Sequence, residues 1–199
     1  LLDNLLLVDI YNRAKKLHID ADVRRVVMIM ELQQEKDHNA MEAVKSFFGG
    51  KTKDFITAVD ERSIIIVKQL EDGEDYSDMD KLAHAILDTL GFGLENDTHI
   101  AYGTIVSELK EVSRSYKEAR MALDVGKIFF GDRDVIAYSS LGIGRLIYQL
   151  PMSLCEMFIH EVFGDEIPDV FNEETTTTIQ KFFENNLNVS ETARKLFVH

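Results

Sequence analysis

Apolar residues in the first 140 positions alternate between short continuous runs and stripes that repeat every three or four residues. Runs of strand length, rich in β-branched residues, predict five strands: VVMIM (26–30), FITAV (55–59), SIIIV (63–67), HIAYGTIV (99–106) and DVIAY (134–138). Helical stripes fill the three longer intervals between them. The predicted order β-α-β-β-α-β-α-β gives an α+β fold, in which the split βαβ plan of ferredoxin-like sheets is extended by one αβ unit.

Local signals mark where the predicted helices begin and end. The first interval, KDHNAMEAVKSFF (36–48), stops at a pair of glycines, which are favoured residues at a helix C-terminus. Ser77 followed by Asp80 resembles a capping box that opens the second helix. Ser107 is the predicted N-cap of the third and longest helix. Its apolar stripe consists of Leu109, Val112, Tyr116, Ala119 and Leu123.

Further helices are predicted on both sides of this α+β region. The amphipathic pattern of the opening residues predicts a first helix that packs its apolar side on another element. GIGRLIYQL (142–150) and PMSLCEMFIHEVFG (151–164) predict two helices separated by Pro151, and Pro168 marks a second break. The chain therefore divides into four predicted parts: a first helix (1–22), an α+β domain (23–140), a helical connector (141–172) and a terminal helical pair (173–199).

Charge and cysteine content narrow the function classes. The formal net charge is −13; residues 173–199, with four acids and three bases, carry −1 of it, and residues 1–172 carry −12. Because an acidic surface repels phosphates, we expect any contact with nucleic acid to come from the terminal helical pair. A single cysteine, Cys155, cannot form an internal disulfide and suits a reducing cytoplasm. No run approaches the roughly 20 apolar residues that span a bilayer, so no membrane association is expected.

The final segment, NVSETARKLFVH (188–199), has the pattern of the second helix of a helix-turn-helix. Asn188 is the predicted N-cap, with Glu191 three residues on, and Ala193 is the small residue that a close helix crossing needs. The predicted apolar contacts are Val189, Leu196 and Phe197 on this helix and Ile179, Phe182 and Phe183 on the helix before it. Many other small helical pairs share this pattern, so by itself it is only moderately specific.

A family resemblance supports the helix-turn-helix interpretation. FFENNLNVSETARKLFVH (182–199) is similar to the C-terminal helix-turn-helix of the PucR/CdaR regulators of purine catabolism and carbohydrate-diacid use. The upstream part resembles the GGDEF-like domain of the same family, with LLDNLLLVDIYNRAKKLHID as its first helix, RRVVMIMEL as its first strand and SSLGIGRLIYQLP as its exit segment. The resemblance covers nearly the whole chain and implies a GGDEF-like α+β domain, connector helices and a partial helix-turn-helix.

The resemblance also implies partners and contact residues. Asn188, Ser190 and Thr192 would touch DNA phosphates near the start of the second helix, with Lys195 and His199 close to the groove. Such contacts position a domain on DNA without specifying bases. The basic recognition helix and the ligand-sensing domain of the family would both lie outside this chain. We therefore expect a homodimeric regulator that binds DNA weakly or not at all in this form, and a small-molecule effector that is sensed elsewhere.

The GGDEF likeness raises a rival hypothesis, cyclic dinucleotide synthesis. That chemistry uses a hairpin whose glycines let the backbone approach the nucleotide, together with carboxylates that hold metal. Here the hairpin is AVDERS (58–63), which has no glycine, although Asp60, Glu61 and the first-strand Glu31 are acidic. We therefore predict no enzyme activity, no catalytic residues and no cofactor. The histidine spacing likewise predicts no metal site.

Two questions stay open at the level of sequence. One is whether the α+β domain binds its own small molecule or nucleotide, because no pocket chemistry can be named from the residues alone. The other is which surface joins two copies of the chain. The first helix and the connector residues Leu146, Leu150, Leu154, Met157 and Phe158 are candidates for self-association, with packing inside one chain as the alternative.

Overall fold

The computed structural model describes residues 7–32, 38–49, 53–60, 62–91, 98–131, 133–164, 172–185 and 187–197. The chain forms two compact units, Leu1–Tyr148 and Gln149–His199. The first unit holds a five-stranded sheet with its helices, and the second holds three described helices. The four predicted parts are not tested by this division, and their boundaries stay predictions.

The described elements follow the predicted order. The first unit comprises α1 (Leu7–Lys16), β1 (Arg25–Glu31), α2 (His38–Phe47), β2 (Phe55–Ala58), β3 (Ser63–Gln69), α3 (Tyr76–Leu90), β4 (His99–Tyr102), α4 (Val112–Phe129), β5 (Val135–Ala137) and α5 (Gly144–Tyr148). The second unit comprises α6 (Met152–Phe163), α7 (Glu173–Glu184) and α8 (Val189–Leu196). The α+β class and the order β-α-β-β-α-β-α-β are therefore confirmed.

Strand β1 lies at the centre of the sheet, whose strand order is β2-β3-β1-β4-β5. It pairs antiparallel with β3 and β4, while β4 and β5 pair in parallel. Val26, Met28 and Met30 pack into one apolar core with α2 and α3, and Val27 and Ile29 pack into another with α4. Burial of both faces explains why this strand is a continuous apolar run rather than an alternating one.

Two helix starts differ from the prediction. Helix α3 is capped by Asp75, whose carboxylate accepts the Ser77 N–H at 2.8 Å while the Asp78 carboxylate accepts the Asp75 N–H at 3.0 Å. The capping box is thus Asp75 with Asp78, two residues before the predicted pair. Helix α4 follows a short 3₁₀ turn at Leu109–Glu111. Neither the 3₁₀ turn nor α4 has a side-chain cap at its N-terminus, so the prediction that Ser107 is the N-cap is wrong.

The predicted strand 99–106 is interrupted in its middle. Strand β4 ends at Tyr102, and pairing with β1 resumes only at an isolated bridge between Arg25 and Val106. In the gap, the Val27 N–H donates to the Ser115 hydroxyl oxygen on α4 at 3.0 Å, and that hydroxyl donates to the Thr104 carbonyl at 2.8 Å. Ser115 therefore supplies the acceptor for a buried strand N–H.

Gly103 allows this close approach of α4 to the sheet. A Cβ atom on Gly103 would lie 2.1 Å from the Ser115 carbonyl oxygen, a distance that no side chain can occupy. Any larger residue would push the α4 backbone away from β4 and lengthen the Ser115 hydrogen bonds. Glycine is needed here for space, and not for a positive φ angle.

The second unit contains helices with clear terminal signals. Pro151 precedes α6, as predicted, and Asn172 caps α7 by accepting the Thr175 N–H at 2.9 Å. Prolines and asparagines favour such helix starts because they fix the backbone or satisfy free N–H groups. None of the described helices is both long enough and apolar enough to cross a membrane.

We predict that Ser115→Ala destabilises the first unit by about 3 kcal/mol, because it leaves a buried N–H and a carbonyl without their partner. Urea unfolding followed by circular dichroism measures the change, and the Val27 amide proton should exchange faster. Ser107→Ala is the matched control, and its effect should stay within about 0.5 kcal/mol because that side chain caps nothing. Equal losses from the two substitutions would contradict the role given to Ser115.

Candidate functional site

Helices α7 and α8 are joined by a tight turn. The Leu187 N–H donates to the Phe182 carbonyl at 2.9 Å, and the Asn188 N–H donates to the Asn185 carbonyl at 3.1 Å. Leu187 has a φ of 63°, in the left-handed region that is uncommon for a residue other than glycine. These bonds satisfy groups at the end of α7 and fix how the chain enters α8.

A buried polar clasp, formed by Asn185 and Thr192, holds the two helices together. Asn185 is 7% exposed and Thr192 is 5% exposed. The Asn185 Nδ2 donates to the Lys181 carbonyl at 2.7 Å and to the Thr192 Oγ1 at 3.4 Å, and the Thr192 hydroxyl donates to the Asn188 carbonyl at 2.8 Å. Because both side chains are buried and hydrogen-bonded, the clasp favours one arrangement of α7 and α8.

Asn188 occupies the N-cap position of α8, so the predicted cap is confirmed. Its Oδ1 accepts the Glu191 N–H at 3.0 Å, the bond expected of an asparagine cap. Asn188, Ser190 and Lys195 are exposed, as a contact with phosphate requires. His199 lies outside the described residues.

Thr192 does not fit its predicted contact with phosphate. The side chain is buried in the clasp, where its hydroxyl already bonds to protein atoms. A buried hydroxyl cannot reach a phosphate without opening α8 from α7. The structure therefore assigns Thr192 to helix packing.

The predicted apolar contacts between the helices are only partly formed. Val189 is 71% exposed and Phe197 is 94% exposed, so both predicted contacts are wrong for the described residues. Phe183 is 66% exposed, whereas Phe182 and Leu196 are partly buried. The polar clasp takes the buried place that the sequence pattern had assigned to apolar side chains.

Charge on the helical pair is largely balanced by local ion pairs. Arg194 donates to both oxygens of Glu191 at 2.6 and 2.7 Å, and Lys181 lies 2.7 Å from Glu184. Each bond lowers the pKa of the glutamate that accepts it. Lys195 is exposed, and its charge contributes at longer range to lowering the pKa of Glu184 and of Glu191.

An open groove of about 500 Å³ lies on α7 and α8, and acidic residues line it. Glu173 and Glu174 stand on one side of the groove and Leu196 on the other. Like charges repel, so this groove is unsuited to a phosphate backbone.

A second candidate site lies at the far end of β1, where the rival cyclase hypothesis places its carboxylates. Glu31 ends β1 opposite Ser63 of β3 and His99 of β4. The ammonium of Lys127 on α4 forms an ion pair with the Glu31 carboxylate. Partial burial lowers the pKa of Lys127. This lysine neutralises the charge on Glu31 that a metal ion would otherwise balance.

The hairpin between β2 and β3 is closed by its own acidic residue. The Asp60 carboxylate accepts the Arg62 N–H at 2.8 Å, and this bond lowers the pKa of Asp60. The Val59 N–H donates to the Ser63 carbonyl at 3.1 Å. Glu61 lies outside the described residues. Within the described ranges, no group of three or more His, Cys, Asp or Glu side chains is arranged to hold a metal ion.

Sequence reasoning missed both the clasp and the Glu31–Lys127 pair. Asn185 and Thr192 stand seven residues apart, on the two sides of a turn. The sequence signal for the clasp was a polar residue at a position that faces the other predicted helix. Glu31 and Lys127 are on separate elements far apart in the chain, so no local spacing could have joined them.

Comparisons with known proteins identify the first unit. Residues 4–125 match the family described as the GGDEF-like domain. No curated protein matches the sequence at a significant level. One similar solved structure is the regulator of polyketide synthase expression from Bifidobacterium adolescentis, with 13% identity over 98% of this chain and 78% of that chain and a TM-score of 0.49.

Proposed function

Because the chain belongs to the GGDEF-like domain family, we propose that it is part of a transcriptional regulator of the PucR/CdaR type. In this proposal the α+β unit relays a signal without catalysis, and α7 and α8 are the supporting helices of a helix-turn-helix. The observation that carries the proposal is the α7–α8 pair, with its Asn188 cap and its buried Asn185–Thr192 clasp. A helix-turn-helix needs such a fixed crossing to present its recognition helix.

The proposed DNA contacts are limited to the exposed start of α8 and to Lys195. The N-terminus of α8 carries a partial positive charge that favours a phosphate near Ser190. Lys195 adds a full charge, whereas Glu191 already pairs with Arg194. With so few phosphate contacts and an acidic first unit, binding by this chain is weak and independent of base sequence.

We predict that the chain binds mixed-sequence duplex DNA with a dissociation constant in the micromolar range or weaker. Lys195 is the one cation among the proposed contacts, so the slope of log K against log salt concentration should be about −1. Lys195→Gln should weaken binding and reduce that slope by about 1, because one counterion fewer is released. Fluorescence anisotropy between about 50 and 200 mM salt measures both quantities.

Lys15→Gln, on the exposed surface of α1 in the first unit, is the control and should leave DNA binding unchanged. Three results would contradict the proposed contacts: equal losses from the two substitutions, no detectable binding at the lowest salt, or a nanomolar sequence-specific complex.

The absence of catalysis is the second part of the proposal. It is supported by the hairpin, which has no glycine to admit a nucleotide and whose Asp60 is used to close the turn. It is also supported by the ion pair between Lys127 and Glu31, because this pair already engages the carboxylate at the end of the first strand. A metal-dependent cyclase would need that carboxylate for its metal ion.

We predict that GTP with magnesium gives neither a binding heat in calorimetry nor a cyclic dinucleotide product in the same sample. Product formation that is lost in Glu31→Gln and retained in Glu42→Gln would show that the carboxylate is catalytic and would overturn this part of the proposal. Glu42 is a suitable control because it is an exposed glutamate on α2 and belongs neither to β1 nor to the hairpin.

Self-association through the connector is the third part of the proposal. On α6, Leu154, Met157 and Phe158 are 41%, 52% and 62% exposed. Large exposed apolar areas mark interaction sites on soluble proteins. A second copy of this chain, which carries the same apolar residues, is the proposed partner.

We predict that Phe158→Glu weakens the homodimer at least about tenfold, because burial of a glutamate at an apolar interface is unfavourable. Sedimentation velocity over a concentration series measures the monomer–dimer equilibrium. Ile128→Glu is the control, since Ile128 on α4 is 63% exposed and lies outside the connector. A chain that stays monomeric at every concentration, or a dimer that both substitutions weaken equally, would contradict the connector interface.

A further inference from the structure

Arg25, the first residue of β1, is a buried charge with unused hydrogen-bond donors. Its exposure is 1%, and its Nη2 donates to the Asp20 carbonyl at 2.6 Å. The buried Nε and Nη1 atoms have no hydrogen-bond partner within the described part of the chain. Buried polar groups in native proteins are nearly always paired, so unpaired guanidinium donors call for an acceptor.

Arg25 forms part of the wall of a cavity of about 390 Å³ between the end of α1 and the start of β2. Ligand pockets in proteins are commonly about 300–1,000 Å³, and this cavity is large enough for a small organic molecule. Apolar side chains make up one part of its wall: Leu17, Ile19 and Phe55. The cavity thus combines an apolar surface with a buried cation.

The carboxylates around the cavity are already matched by lysines. Asp20 lies 3.1 Å from the Nζ of Lys53, and Asp54 lies 3.8 Å from the Nζ of Lys68. Asp54 also accepts the Gln69 N–H at 2.7 Å. Lys68 is shared with Glu74, which lies 3.8 Å from its Nζ, and the charge of Asp20 acts on Arg25, so the charges around the cavity balance. The guanidinium nevertheless keeps two N–H-bearing nitrogens without an acceptor in the described part of the chain, and these are suited to the oxygens of a ligand.

We propose that this cavity binds a small organic monocarboxylate, whose carboxylate pairs with Arg25 and whose hydrocarbon part lies against Leu17, Ile19 and Phe55. A carboxylate suits the planar guanidinium because its two oxygens can accept from neighbouring N–H groups. Lys53 also lines the cavity, and its pairing with Asp20 reduces the repulsion that this carboxylate would exert on an anion. A bound carboxylate would supply the hydrogen-bond acceptor that the guanidinium of Arg25, the first residue of the central strand β1, lacks within the described part of the chain.

This cavity is separate from the hairpin end of the sheet. Arg25 and Glu31 are the two ends of β1, and a seven-residue strand is roughly 20 Å long. The inference rests on the first unit alone and stands whether or not α7 and α8 contact DNA. It gives the α+β unit a ligand of its own, whereas the family resemblance placed effector sensing outside this chain.

The test is titration of the ¹⁵N-labelled chain with benzoate and with hexanoate, followed by ¹H–¹⁵N spectra. We expect saturable, one-to-one shifts of the Arg25 Nε–H resonance and of the backbone amides of Ile19, Asp20 and Gln69. Inorganic phosphate, titrated separately, distinguishes a carboxylate site from a general oxyanion site. Phosphate binding without binding of either carboxylate would overturn the assignment.

Substitutions separate ligand binding from a structural role of Arg25. Arg25→Met removes the donors and should weaken carboxylate binding at least tenfold while the spectrum of the folded chain persists. Lys53→Glu places a negative charge beside the cavity and should weaken binding several-fold. Because Lys53 is exposed, this second variant tests whether the anion binds in the cavity even if Arg25→Met does not fold. Lys45→Glu makes the same charge change on α2, which contributes no residue to the wall of the cavity, and should leave the affinity unchanged.

Two results would overturn the proposal. One is that neither benzoate nor hexanoate causes saturable shifts, which would leave Arg25 as a structural residue. The other is binding that survives both Arg25→Met and Lys53→Glu with unchanged affinity, which would place the anion elsewhere on the chain.

Discussion

The close contact between α4 and the central strand is the constraint on which the first unit depends. Strand β4 leaves β1 after Tyr102, so the Val27 N–H would be buried without an acceptor. Ser115 supplies that acceptor, and Gly103 leaves the space in which the two backbones meet. Because α4 is held at this depth, its apolar face fills the core beneath Val27 and Ile29. The buried central strand and its helix thus depend on a serine and a glycine.

The same strand carries a charged residue at each end, and the two ends differ in how that charge is balanced. At one end Glu31 pairs with Lys127, which α4 brings to it. At the other end Arg25 has a carbonyl partner and two nitrogens for which the described part of the chain offers no acceptor. Burial disfavours an unbalanced charge more strongly than a paired one. This asymmetry separates a hairpin end whose charged residue is paired from a cavity end whose guanidinium still has donors for a ligand.

The second unit achieves a defined helix crossing by a different means. Asn185 and Thr192 place a hydrogen-bonded pair where apolar side chains were expected, and Val189 and Phe197 are exposed. A buried polar pair contributes less to stability than apolar packing but penalises other arrangements of the helices. For a helical pair that is proposed to position a DNA-binding element, one fixed crossing matters more than a large core.

The sequence by itself determined the features that arise from local pattern. Continuous apolar runs predicted the strands, helical stripes predicted the helices, and Asn188 was recognisable as a cap because its partner is three residues away. The tertiary structure decided what depends on residues distant in sequence: the break in β4, the pairing of Glu31 with Lys127, the burial of Thr192, and the two Arg25 nitrogens that find no acceptor among the described residues. Periodicity shows which face of an element is buried. It does not show which residue of another element will form a hydrogen bond with that face, because that partner does not affect the spacing of residues within the element.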